Sequence, residues 1–148
     1  MKLEYQKEAY AEIIKDIYKE HDVFIVVGGG NFWRGRTSET IDRTKADQIG
    51  MLATVMNCIY VSEIFRSVGM ETEIYTPFQC ASFTELFSKD KAVNALENGK
   101  VVFFAGGTGH PYFSTDFCHT LLHRGLSHPF RIPVRLPVPK KVMLHLLQ

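Results

Sequence analysis

Two places where a short apolar run opens directly into glycine constrain this 148-residue chain most. Val23 to Val27 is followed by Gly28-Gly29-Gly30-Asn31, and Val101 to Ala105 is followed by Gly106-Gly107-Thr108-Gly109. Continuous apolar runs of this length, rich in β-branched residues, read as strands covered on both faces. Strands of that kind belong to parallel sheets. Glycine loops at their carboxyl ends let backbone N–H groups and hydroxyls come close to a phosphate or sugar. The pattern therefore predicts a phosphorylated or nucleotide ligand held where two parallel strands end.

The intervening segments fit that frame. Tyr10, Ile13, Ile14, Ile17 and Tyr18 recur at helical spacing and predict one apolar face on a helix over about residues 3–20. A polar loop over about 28–43 leads to a long helix from Lys45 to Ser67, with Ile49, Leu52, Val55, Met56, Ile59, Tyr60 and Ile64 as its apolar positions. Gly69 ends it as a C-terminal glycine cap. Glu71 to Thr76 reads as a strand closed by Pro77. Ser88 is a candidate cap for a helix over about 89–98, and a further helix can start at Ser114 or Thr115. Helices alternating with short strands predict an α/β fold, a three-layer sandwich around a mainly parallel sheet.

Charge divides the chain. All 16 acidic residues lie in residues 1–116, against 12 Lys and Arg, for a net −4. Residues 117–148 hold no acid, five basic residues, four of the six His and four of the six Pro. Prolines 129, 133, 137 and 139 predict an extended arm or a disordered tail beyond about Gly125, with only Lys140 to Gln148 able to form a helical turn. The basic segment lacks the aromatic interleaving of a nucleic-acid surface, and its His residues lack metal-ligand spacing. No apolar run approaches the roughly 20 residues of a membrane span, and the N-terminus lacks a signal-peptide layout. Cys58, Cys80 and Cys118 form no CxxC pair, as expected of reduced thiols in a cytoplasmic protein.

Several residues invite both a functional and a plain reading. Arg34, six residues beyond Gly28, suits bidentate contact with phosphate oxygens. Arg36 and Arg43 read as solvated loop charges, with a second phosphate contact as the other reading. Asp47 is either a favourable acid near a helix start or an acceptor for ribose hydroxyls. Thr108, Ser114 and Thr115 supply more hydroxyls than a turn needs, which favours ligand contact. His110 can stack on or hydrogen-bond a base, or be solvated. Asp116 can cap the next helix. Tyr112 and Phe113 read as packing residues, and Trp33 as partly exposed.

Taken together, Val26 to Asn31 with Arg34-Gly35, Asp42-Arg43, Ala46-Asp47, Gly50 to Asn57 and Gly107 to Asp116 resemble the bacterial uridylate (UMP) kinases of the amino acid kinase family. The triple glycine is widespread in that superfamily. The Gly-Met-Leu-Ala-Thr-Val-Met-Asn helix and the Pro-Tyr-Phe-Ser-Thr-Asp loop mark the uridylate kinases. The resemblance implies transfer of the γ-phosphoryl of ATP, with Mg²⁺, to UMP, giving UDP for pyrimidine nucleotide synthesis. It implies UMP contacts at Gly29 and Asp47, the latter on the ribose. Thr108, Gly109, His110, Pro111, Tyr112, Phe113, Ser114 and Thr115 become the wall for uracil and the acceptor phosphate. Gly30 and Arg34 fall near the transferred phosphoryl group, Arg34 as the catalytic cation. A homohexamer is also implied.

The match covers about residues 5–116 and predicts an amino acid kinase-like portion over 1–116 with a divergent tail over 117–148. Family members begin with a strand and a Lys-Leu-Ser-Gly-type loop that has no counterpart here. They also continue past Ser-Thr-Asp with an acidic helix, whereas Phe117 onward does not match. A shifted reading frame produces such a change. The alternative expectation is a non-catalytic nucleotide-binding fragment without the ATP-site lysine loop.

Overall fold

The computed structural model describes residues 2–32, 40–113, 122, 124–126 and 131–136, with residues 2–8 and 131–136 as backbone only. The elements run α1 (Lys2–Tyr18), β1 (Asp22–Val27), α2 (Arg43–Ser67), β2 (Thr72–Thr76), β3 (Glu85–Leu86), α3 (Lys89–Glu97), β4 (Val101–Phe104) and β5 (Arg131–Leu136). Their strands form one sheet in the order β3-β2-β4-β1-β5, and every pairing is parallel. The expected α/β architecture with a parallel sheet is what the chain adopts.

The pleat of the central strands sorts two cores. Val23, Ile25, Val27, Val101 and Phe103 face α1 and α2, where they meet Ala11, Ile14, Val55, Cys58, Val61 and Phe65. Phe24, Val26, Val102 and Phe104 face α3 and pack with Tyr75, Ala92, Ala95 and Leu96. Burial of each large side chain contributes about 1.5–3 kcal/mol, so β1 and β4 anchor both layers. Phe24 with Phe104 and Phe65 with Phe103 meet edge-on at 5.9 and 5.4 Å. The Tyr18 hydroxyl donates to the Gly99 carbonyl and ties the end of α1 to the turn before β4.

Several expectations need correction. The α2 helix starts at Arg43, because the Asp42 carboxylate caps it by accepting from the Thr44 and Lys45 N–H groups. Leu52, Met56 and Ile59 are exposed, and so are Tyr10 and Ile13 on α1. Val55 is buried as expected, and the buried stripe of α2 runs with it through Ala46, Ala53, Thr54, Asn57, Cys58, Val61 and Phe65. Small and polar side chains there let the helix lie close to the sheet. By length and composition α2 could cross a membrane, yet its inner face is packed in this core. Ser88 stands at the N-cap of α3 without a capping side-chain bond. Gly69 and Gly99 do adopt the positive φ of C-terminal caps.

Two strands were not anticipated. The two-residue β3 extends the sheet beyond β2. The Pro-rich segment contributes β5, which pairs with β1 from Asp22↔Arg131 to Val27↔Leu136. Pro133 lies in its middle. An edge strand tolerates the missing N–H because one side of its ladder is open. The helix expected from Ser114 or Thr115 begins outside the described residues, as does the turn over 140–148. A helical bond from the Leu126 N–H to the Leu122 carbonyl is described at 2.8 Å.

Candidate functional site: two glycine loops held by one helix

Strands β1 and β4 are neighbours with Val26 opposite Phe104, so both glycine loops leave the same end of the sheet side by side. The first follows Val27 and the second follows Phe104. Helix α2 ties them together along one stripe, with Asp47, Gly50, Thr54 and Asn57 at helical spacing toward the loops.

Asn57 holds the first loop. Its amide N–H groups donate to the Gly28 carbonyl and to the Asn31 side-chain oxygen, both at 2.7 Å, and Asn31 returns a bond at 3.2 Å. Gly29 lies so near α2 that a Cβ there would stand 2.8 Å from the Gly50 carbonyl oxygen and 3.1 Å from the Thr54 nitrogen. Real Cβ atoms do not come that close to backbone, so glycine is required by packing.

Thr54 and Asp47 hold the second loop. The Thr54 hydroxyl donates to the Met51 carbonyl at 2.6 Å and accepts from the Gly106 N–H at 2.7 Å. Gly106 has φ +81°, and a Cβ on it would meet the Phe78 ring at 2.7 Å. The Asp47 carboxylate accepts from the Tyr112 N–H at 2.8 Å and from Arg43 Nε at 3.1 Å to each oxygen. The Arg43 guanidinium lies over the Tyr112 ring, 5.5 Å from its centre. Tyr112 itself has φ 70°, unusual for a residue with a Cβ. Within the loop, the Thr108 hydroxyl oxygen accepts from the His110 N–H at 3.3 Å.

The structure thus gathers Gly29, Gly30, Asp47, Thr108, Gly109, His110, Pro111, Tyr112 and Phe113 at one end of the sheet. Arg34, Ser114 and Thr115 lie outside the described residues, as do Trp33, Arg36, Asp116 and Cys118. Two plain readings are overturned. Tyr112 and Phe113 are 70% and 54% exposed, so they do not pack a core. Arg43 is not a solvated loop charge but the first residue of α2, paired with Asp47. Thr54 and Asn57 stand out in the sequence only as members of the long helix. The available signal was a polar residue on the buried stripe of an otherwise apolar helix.

Two further features adjoin this convergence. Cys58 is fully buried between α2 and the sheet, 3.6 Å from the Phe104 carbonyl, and burial pushes its thiol pKa far up. A cavity of about 370 Å³ is walled by Ala105, Gly107 and Thr108 of the second glycine loop together with Tyr75, Phe104 and Leu126. Among the described residues no group of three His, Cys, Asp or Glu could hold a metal ion.

Glycine loops on adjacent parallel strands, backed by a helix that fixes both, stand at the carboxyl ends of the strands, where open α/β sheets hold their ligands. The chain belongs to the amino acid kinase family, whose model matches residues 4–125. It is 44% identical to the uridylate kinase of Limosilactobacillus reuteri over 70% of this chain and 48% of that protein. The UMP kinase of Ureaplasma parvum superposes with a TM-score of 0.78 at 32% identity, covering 82% of this chain and 55% of that one. The UMP kinase of Bacillus anthracis gives 0.74 at 30% identity, over 89% and 54%. The chain spans about half the length of these relatives.

Proposed function

We propose that this chain carries the acceptor-nucleotide portion of a uridylate kinase, which transfers the γ-phosphoryl of ATP to UMP and yields UDP for pyrimidine nucleotide synthesis. The supporting observation is the convergence of the two glycine loops on one polar stripe of α2, with Asp47 between them. The similarity to uridylate and UMP kinases supports the choice of nucleotide. In this reading Gly29 and Asp47 meet UMP, with the Asp47 carboxylate accepting from the ribose. The loop from Thr108 to Thr115 borders the uracil and acceptor phosphate. Gly30 and Arg34 serve the transferred phosphoryl group. ATP arrives as its Mg²⁺ complex, as substrate. Phosphoryl transfer needs positioning and neutralisation of charge more than covalent chemistry, and Arg34 is the cation assigned to that task.

The same reading assigns residues 1–116 to the UMP-binding portion and 117–148, which contributes β5 to the sheet, to a divergent tail, in a cytoplasmic homo-oligomer. The exposed Leu52, Met56 and Ile59 on α2 support subunit contact, since an apolar helix stripe open to water is a natural partner surface. Titration with UMP, CMP and AMP tests the proposal. Binding of UMP at least tenfold tighter than of the other two is expected, on the order of 1.4 kcal/mol. Equal affinity for all three, or none for UMP, refutes it.

A further inference from the structure

Arg43 is badly placed for the helix it begins. The amino end of a helix carries positive partial charge, so a cation there is unfavourable. An acid following a base by four residues is also the weaker order for a helical ion pair. Its placement therefore calls for an explanation outside helix stability, and the geometry of Asp47 supplies one.

A carboxylate offers about four lone-pair sites. Among the described residues, Oδ2 of Asp47 accepts from both the Tyr112 N–H and Arg43 Nε, while Oδ1 accepts from Arg43 alone. The carboxylate is held from two sides with one Oδ1 lone pair left over, and its side chain is 17% exposed. Arg43 also covers one face of the Tyr112 ring at 5.5 Å. Tyr112 keeps φ 70° under these two restraints, and strained backbone of this kind gathers at ligand clamps.

We infer that Arg43 is a positioning residue: it fixes the Asp47 carboxylate so that one Oδ1 lone pair faces a ribose hydroxyl, and it clamps the second glycine loop to α2 through Tyr112. The inference rests on the proposed UMP site. A guanidinium suits both tasks, since its Nε–H bonds the carboxylate while its planar face covers the ring.

The test compares the wild-type chain with Arg43→Gln in titrations with UMP and with 2′,3′-dideoxy-UMP. Hydrogen exchange at the Tyr112 amide is followed in parallel without ligand. The wild type is expected to favour UMP over the dideoxy compound about tenfold, as for a charge-assisted hydrogen bond. Arg43→Gln is expected to erase that preference, whatever the change in dideoxy-UMP affinity, and to speed Tyr112 exchange. A variant that keeps the preference, or that loses both ligands in proportion, overturns the positioning role. Unchanged Tyr112 exchange overturns the clamp. A wild type that binds no UMP refutes the proposed function and the nucleotide role of Arg43 together, and the exchange result then decides the clamp alone.

Discussion

Replacing Thr54 by Val tests the connection between helix and loop with almost no change of shape. The Thr54 hydroxyl accepts from the Gly106 N–H at 2.7 Å, and both groups are buried. Valine fills the same volume and provides no acceptor. The Gly106 N–H cannot turn away to water, because its φ of +81° and the Phe78 ring packed against it fix the loop. A buried donor left unpaired costs about 1–3 kcal/mol. For a chain of this size that lowers the melting temperature by roughly 2–4 °C per kcal/mol. Thr54→Ser is the control: it keeps the hydroxyl and loses one buried methyl, about 0.8 kcal/mol. Urea unfolding of the three proteins reads the difference. The reasoning requires Thr54→Val to be the least stable and to bind UMP more weakly than Thr54→Ser. A Val variant as stable as wild type would show that the hydroxyl does not hold the loop.

Gly29→Ala should destabilise by about 1–3 kcal/mol, as overpacking against backbone does, with a matching loss of UMP affinity; denaturation and titration check both. Arg34→Gln should lower kcat by roughly 10²–10³, the usual loss for one transition-state stabiliser, with KM for UMP little changed in steady-state assays. Cys58 should resist iodoacetamide in the folded protein, while the partly buried Cys80 reacts; peptide mapping after labelling distinguishes them. Burial and the neighbouring Glu73 carboxylate push the Tyr75 phenol up to about 12 from its ordinary 10. Its contribution to stability is therefore complete below pH 10 and lost as pH rises through about 12. Tyr75→Phe should flatten that alkaline loss in unfolding experiments.

The strands β1 and β4 and the glycine loops after them were legible because nothing else in the chain combines an unbroken apolar run with glycine. Asp47 was legible as a choice between two roles. What decided its surroundings was the approach of Tyr112, 65 residues away, which no local pattern encodes. The outward stripe of α2 misled the reading for a related reason. Leu52, Met56 and Ile59 satisfy helical periodicity as well as the true inner face does. The inner face carries Ala53, Thr54 and Asn57 because two loops, rather than side chains, pack on it. Strand β5 was hidden by its prolines, which argue against a central strand but allow an edge one. The capping of α2 by Asp42 shifted its start by two residues, as cap geometry often does.

Amide chemical-shift mapping with UMP tests the central claim most directly. If the two glycine loops and α2 form one acceptor site, UMP should move the amides of Gly28 to Phe32, Asp47 and Ala105 to Phe113. The amides of α3 beyond Lys89, which do not line the cavity, should stay in place. Shifts confined to α3, or no saturable shifts at all, would contradict the account.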